Sequence, residues 1–171
     1  MVLAFTRADY DRLPEGFPAE LVHGQLVREP APVYGHQYFV ARVFRLLAPL
    51  VPAERLLTSP VDVVIDEFNV FQPDLVVLRH VPAFDVRDVG IPLLAVEVLS
   101  PSTERRDRGV KMRRLLAAGV GEVWLVHPRS RTVEVHDGTG MRGGSGSEPL
   151  ASNVVPGFVV DPRLLFASSA R

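Results

Sequence analysis

The chain has 171 residues, 47% apolar and 23% charged, with a formal net charge of −1, proportions expected of a single domain spanning 1–171 and not of a disordered or fibrous chain. No window holds the ~18–20 uninterrupted apolar residues of a membrane span, and the opening Met1-Val2-Leu3-Ala4-Phe5 lacks the basic region and cleavage site of a secretory leader. Without cysteine, disulfides and thiolate metal sites are excluded and a cytoplasmic protein is expected; with so small a net charge, any pull on an anion must come from local clustering.

Thr6-Arg7-Ala8-Asp9 has the hydroxyl and following acid of a capping box. It predicts a short helix that turns Tyr10 and Leu13 inward and is closed by Pro14 and Gly16. Ala19 to Arg28 reads as two β-rich arms around His23-Gly24, a two-residue hairpin turn. Pro30 and Pro32 separate that hairpin from Tyr34–Val51. There Phe39, Val40, Val43, Phe44, Leu46, Leu47 and Leu50 recur at helical spacing, and Pro49 ends regularity near Leu47 or Ala48.

Val61 to Asp66 predicts a strand, Glu67 to Asn69 a turn, and Val70 to Leu78 the hairpin partner. Pro73 assigns that partner to an edge, a bulge or a strand beginning. His80 to Gly90 is a polar loop, and Leu93 to Leu99 is apolar enough for a central strand covered on both faces. Ser100-Pro101-Ser102-Thr103 supplies hydroxyl caps for a helix from about Glu104 to Ala118, closed by Gly119. Glu122–Val126 and Thr132–His136 are strands joined by a turn over Pro128 to Arg131. Asp137 to Ser147 has five glycines in eleven residues and is expected to be a flexible loop; lacking a strand-to-helix setting, it is no phosphate cradle. Val155 to Pro162 reads as a further strand, followed by a turn burying Leu164, Leu165 and Phe166. The order implies a mixed β-sheet core flanked by helices, an α/β or α+β sandwich with an N-terminal helix and β-hairpin and no internal repeat.

Two of these apolar strands carry one carboxylate each, Asp74 and Glu97. A carboxylate in such a strand is costly to bury unless a cation meets it. Either Asp74 caps the turn after Pro73 and Glu97 pairs with a buried arginine, or both hold a divalent metal through oxygen, as Mg²⁺ prefers. Such a metal lowers the pKa of a bound water and stabilises charge building on a phosphate. Lys111 either pairs with Asp107 on a solvated helix face or leans over the sheet to orient the attacking water or neutralise the phosphate. Glu20 is either a surface charge at a strand start or a third carboxylate for the same metal. His36 is a candidate substrate contact. His80, His127 and His136 are scattered without ligand spacing, so zinc is not expected, and His127 and His136 read as structural. Arg105, Arg106, Arg108, Lys111, Arg113 and Arg114 fall within ten residues, which makes Arg105, Arg106 and Arg108 candidate nucleic-acid contacts.

The series Glu20-Leu21-Val22-His23-Gly24, Gln72-Pro73-Asp74, Glu97 to Thr103 and Arg106 to Lys111, with Ala118-Gly119-Val120 and Glu122 to Pro128, resembles the Uma-two family. That family belongs to the restriction-endonuclease-like PD-(D/E)XK superfamily. The resemblance runs from Thr6 to Phe166 and is most specific from Glu97 to Lys111. It implies a restriction-endonuclease-like fold and a phosphodiesterase core dependent on Mg²⁺ or Mn²⁺. By the same resemblance Asp74 is the aspartate of the Pro-Asp pair and Glu97 the acid of the second half-motif. Glu20 is the acid of the first structural element, and the Val98 carbonyl is a possible extra ligand. The superfamily's lysine, expected at Leu99, has moved to the following helix as Lys111. His23 and His127 stand where relatives commonly have aspartate, and Leu115 where tyrosine is common.

The function expected on this basis is Mg²⁺-dependent hydrolysis of nucleic acid, DNA foremost, by a homodimer with no membrane partner. An alternative of a different class is a non-catalytic nucleic-acid-binding or assembly module, with the Arg105–Arg114 cluster as its phosphate face. The acidic trio together with Lys111 favours catalysis. No aromatic stacking platform separates DNA from RNA.

Overall fold

The computed structural model describes residues 4–28, 31–100, 107–144 and 148–167. Helix α1 (Arg7–Tyr10) begins at Thr6 with the predicted capping box: Asp9 N donates to Thr6 Oγ1 at 3.3 Å, and Thr6 N donates to Asp9 Oδ2 at 3.0 Å. Strands β1 (Ala19–Val22) and β2 (Gln25–Arg28) form the expected hairpin. Its turn places His23 at φ 49° and Gly24 at φ 74°, a left-handed region that histidine enters more readily than most residues. A Cβ on Gly24 would lie 2.7 Å from Ala4 Cβ, so the turn needs glycine there.

Helix α2 runs Tyr34–Leu47 with Ala48 as its C-cap, ending where Pro49 predicted. A single 3₁₀ turn (Ala53–Arg55) then leads into β3 (Leu56–Thr58), which the sequence reading did not foresee. Three residues are too few for a periodic signal.

Strand β4 (Val63–Asp66) turns back into β5 (Asn69–Phe71), but the Val70–Leu78 run does not form one partner strand. It divides at Gln72-Pro73. Before the break, β5 lies in a four-stranded sheet ordered β2-β1-β5-β4; after it, β6 (Leu75–Val77) enters a six-stranded sheet. Proline lacks the N–H a ladder requires, and here that gap separates two sheets. The larger sheet is ordered β10-β9-β8-β7-β6-β3 and adds β7 (Leu94–Val98), β8 (Glu122–His127), β9 (Thr132–Asp137) and β10 (Gly140–Gly144). β7 and β8 are parallel and the other pairings antiparallel, so the sheet is mixed, as expected, and all five β7 residues are buried.

The glycine-rich segment is also not the predicted loop, since Gly140 to Gly144 pairs with β9. Ladder bonds need no side chains, and a Cβ on Gly143 (φ 88°) would stand 2.4 Å from the Val133 carbonyl. Only glycine admits so close an approach. Residues 145–147 lie outside the described set, as do 101–106, where the hydroxyl caps and start of the next helix were predicted. The described part of that helix opens with one π-helical turn (Asp107–Lys111) and continues as α3 (Met112–Ala117). The C-terminal part pairs β11 (Leu150–Ala151) with β12 (Val159–Val160) and ends in α4 (Pro162–Leu165). Leu165 and Phe166 are buried, but Leu164 is exposed, because consecutive residues of so short a helix face different ways.

Alternation along β7 fixes two cores. Leu94, Val96 and Val98 face α2, packing with Val40, Val43, Leu47, Trp124 and Phe158. Ala95 and Leu99 face the opposite way, against Leu115, Val63 and Phe71. By the same period, Glu97 belongs to the α3 side. No helix among the described residues is long and apolar enough to cross a membrane.

Two polar anchors are buried within this frame. Glu122 is fully buried, and its carboxylate accepts from Trp124 Nε1 at 2.9 Å, Arg142 at 2.7 Å, Ser152 Oγ at 2.7 Å and Asn153 N at 2.8 Å. It thereby ties β8 to β10 and to the segment after β11. Glu122→Ala leaves four donors unmatched and should lower stability by about 3–5 kcal/mol in a denaturant melt. Tyr10 shares its hydroxyl between the Ala19 carbonyl (3.0 Å) and Asp62 Oδ1 (2.9 Å). Burial, and after it the charge of Asp62, pushes its phenol well above the ordinary 10.0. A raised pKa favours the protonated folded form, so this stabilisation is complete below about pH 10 and is lost as the solution becomes more alkaline. The melting temperature should therefore fall above about pH 10, and less steeply in Tyr10→Phe.

Candidate functional site

Glu20 projects from β1, Glu97 from β7, and Lys111 closes the π turn ahead of α3. The three meet in the interior, each no more than 3% exposed. Lys111 Nζ lies 2.6 Å from Glu20 Oε1 and 2.8 Å from Glu97 Oε1. Burial overturns two of the blander readings: Lys111 is not on a solvated helix face, and Glu20 is not a surface charge. Glu97 does meet a buried cation, a lysine in place of an arginine.

Gln72 joins this trio to Asp74. Its backbone N–H donates to Glu20 Oε1 at 2.7 Å and its carbonyl accepts from Lys111 Nζ at 3.3 Å. Its side-chain amide donates to Asp62 Oδ1 at 2.9 Å and Tyr10 OH at 3.1 Å. Pro73 follows, and then Asp74, whose Oδ2 accepts from Val98 N at 2.7 Å. The β6–β7 ladder ends at Leu75 opposite Val96, and beyond it the Asp74 carboxylate, not a backbone carbonyl, takes the Val98 N–H. His36, in the first turn of α2, places Nε2 3.2 Å from Asp74 Oδ2. Both Asp74 contacts fall on Oδ2, leaving Oδ1 without a hydrogen bond among the described residues.

Lys111 thus lies between Glu20 and Glu97, while Asp74, joined to them through Gln72, contacts His36 and Val98 N. The carboxylate donors are all oxygen, which suits Mg²⁺ or Mn²⁺. Among the described residues no group of three or more acidic or histidine side chains is already arranged to hold a metal ion, and Lys111 stands between two of the carboxylates. Asp74 also opens on a cleft of about 410 Å³. Val40, Phe44 and Arg45 of α2 line it on one side, Thr58 and Ser59 on the other.

The basic cluster is distributed among acids. Lys111 serves Glu20 and Glu97, Arg114 lies 3.4 Å from Asp66, and Arg108 pairs with Glu134. Hydrogen bonds from Asn69 and Phe68, with the Arg114 charge, outweigh partial burial and leave the Asp66 carboxyl below its ordinary value. Arg105 and Arg106 lie outside the described residues. His127 and His136 both approach Glu134, at 3.7 and 3.0 Å, a setting consistent with the structural role read for them.

Sequence reading passed over Gln72, Tyr10, Asp62 and Glu134. Gln72 had a signal in its place beside Pro73-Asp74, whereas Tyr10 and Asp62 meet it only through the fold. Glu134 sits in the plain alternation of a strand with one wet face, which distinguishes no buried acid from an exposed one.

A search of the curated proteins finds no match. The crystal structure of a "putative nuclease belonging to DUF820" from Anabaena variabilis superposes with a TM-score of 0.81 at 18% identity, covering 95% of this chain and 97% of that one. At that identity the likeness concerns the fold, which is that of the α+β nuclease-like protein. A family model, Uma2, described as "Putative restriction endonuclease", matches residues 7–161. Matched over most of its length, the chain belongs to the Uma2 family.

Proposed function

We propose that the protein is a Mg²⁺- or Mn²⁺-dependent nuclease that hydrolyses phosphodiester bonds, with DNA as the foremost substrate. The observation that carries this reading is the buried Glu20–Lys111–Glu97 arrangement set beside Asp74 at the mouth of a cleft. Asp74 and Glu97 are the residues to hold the metal, with the Val98 carbonyl as an added oxygen donor. When bound, the metal supplies an acidified water and stabilisation of charge on the phosphate.

The chain's own residues perform the rest. Lys111, held by Glu20 and the Gln72 carbonyl, keeps its ammonium beside Glu97. From there it can orient the attacking water or neutralise the phosphate as negative charge grows on it. Glu20 was expected as a third metal ligand; its contacts with Lys111 and Gln72 N favour a positioning role. His36 steadies Asp74, so it acts on the site through that carboxylate and not as a first contact with substrate. The cleft bounded by Phe44, Arg45 and Thr58 offers a strand a path to Asp74 and excludes bulk water on one side. A symmetric pair of such chains would grip more duplex than one chain can.

Purified protein with Mg²⁺ or Mn²⁺ should nick or degrade nucleic acid, measured on plasmid, single-stranded DNA and RNA. Asp74→Ala, Glu97→Ala and Lys111→Ala should each lower the rate by about a hundredfold or more. Full metal-dependent cleavage by Glu97→Ala would refute the site. Nucleic-acid binding with no cleavage by the wild type would favour the non-catalytic module instead.

A further inference from the structure

Helix α2 carries two neighbouring arginines that the fold treats differently. Arg42 is engaged within the protein, donating to the Tyr38 hydroxyl at 2.7 Å and to the Leu164 carbonyl at 2.6 Å. Arg45 is exposed, and its side chain makes no ion pair or hydrogen bond among the described residues. It stands on the wall of the cleft that opens beside Asp74. A guanidinium fork with no carboxylate of its own suits an anionic partner, and a phosphate matches its planar donors.

Phe44 stands on the same wall. Its place in the apolar spacing of α2 reads as a core position, and the side chain does pack against the core. It is only partly buried, however, and it also borders the cleft. Among the described residues its ring meets no other aromatic ring. Val40 extends this apolar wall along the helix, while Gln37 and Thr58 add polar edges. On the far wall Ser59 N donates to the Asp74 carbonyl at 3.0 Å, which ties the cleft directly to the candidate site. The volume, about 410 Å³, falls within the roughly 300–1,000 Å³ of small-ligand sites. It admits one nucleotide and is too small for a base pair held in duplex. An apolar wall with one aromatic ring, a lone guanidinium and hydrogen-bonding edges is a combination that holds an unpaired nucleotide, with the base stacked and the phosphate paired.

We propose that the cleft is a subsite for one unpaired nucleotide of the substrate strand, its base against Phe44 and its phosphate on Arg45. The substrate class follows: single-stranded nucleic acid, or duplex opened beside the bond to be cut, in preference to intact duplex. His36, which touches Asp74, and Arg45 are separated by roughly 13 Å of helix rise. The subsite therefore takes a nucleotide flanking the scissile bond and not the reacting phosphate itself. That placement rests on the nuclease reading, but binding in the cleft does not need the chemistry.

The test is equilibrium binding in EDTA, where no cleavage occurs, of three fluorescein-labelled probes. These are a dT oligonucleotide, the same strand paired with dA, and a strand of equal length made wholly of abasic sites. The wild type should bind the dT strand about tenfold more tightly than the abasic strand, and more tightly than the duplex. Phe44→Leu keeps an apolar side chain and removes the ring, and Ala41→Leu fills the cleft from an exposed helix position. Each should bind the dT strand little better than the abasic one. Arg45→Ala should weaken both single strands alike, by about tenfold at low salt, and reduce the slope of log affinity against log salt by about 0.7. Wild-type binding of duplex or abasic strand as tight as that of dT would overturn the subsite, as would a full preference for bases in both Phe44→Leu and Ala41→Leu. Unchanged affinity and slope in Arg45→Ala would overturn the phosphate contact. Cleft-dependent binding by a protein that cleaves nothing with Mg²⁺ or Mn²⁺ would sink the nuclease reading alone. Metal-dependent cleavage of intact duplex, unaffected by Phe44→Leu, would sink only this proposal.

Discussion

A lysine ammonium shut away from water between two glutamates is the interaction on which the rest of this molecule turns. Lys111, Glu20 and Glu97 are all buried, and none of the three charges could remain there alone without a penalty of several kcal/mol. Their elements come from three parts of the fold: the small sheet, the centre of the large sheet, and the turn leading into α3. One ion-paired cluster therefore holds the two sheets and that turn in register. Gln72 completes the junction with its backbone, at the point where the chain leaves one sheet for the other.

That same arrangement explains why the lysine arrives from a helix. Two residues beyond Glu97, on the same strand face, the strand carries Leu99, which is buried in the α3-side core with Leu115 and Leu125. A lysine at 99 would displace that packing, whereas one at 111 approaches the same face from above. The approach through a π turn is notable, since such turns interrupt regular helices mostly where a side chain must be aimed.

Much of this was legible in the residues. The capping box at Thr6, the His23-Gly24 turn, the end of α2 near Pro49 and the doubly covered β7 each follow from local chemistry that nothing distant overrode. The carboxylates in apolar strands were legible as groups in need of a cation, but not which of them Lys111 would join. Other features depended on distant partners. Pro73 announced a break, yet only the sheets themselves reveal that the chain changes sheet there. The glycines of β10 looked like slack, because the demand for a bare Cα at Gly143 comes from Val133, ten residues away in sequence. β3 was too short to carry a pattern, and Glu134 alternates like any exposed strand acid until Arg108 and two histidines are brought against it.

The account holds that the carboxylates of Asp74 and Glu97 hold a divalent metal beside the Lys111 ammonium. A crystal soaked in Mn²⁺ and measured at the manganese absorption edge tests this most directly. The account predicts an anomalous peak about 2.0–2.3 Å from carboxylate oxygens of both Asp74 and Glu97, with Lys111 still beside it. A well-ordered site with no peak there, or with manganese bound only elsewhere, would contradict it.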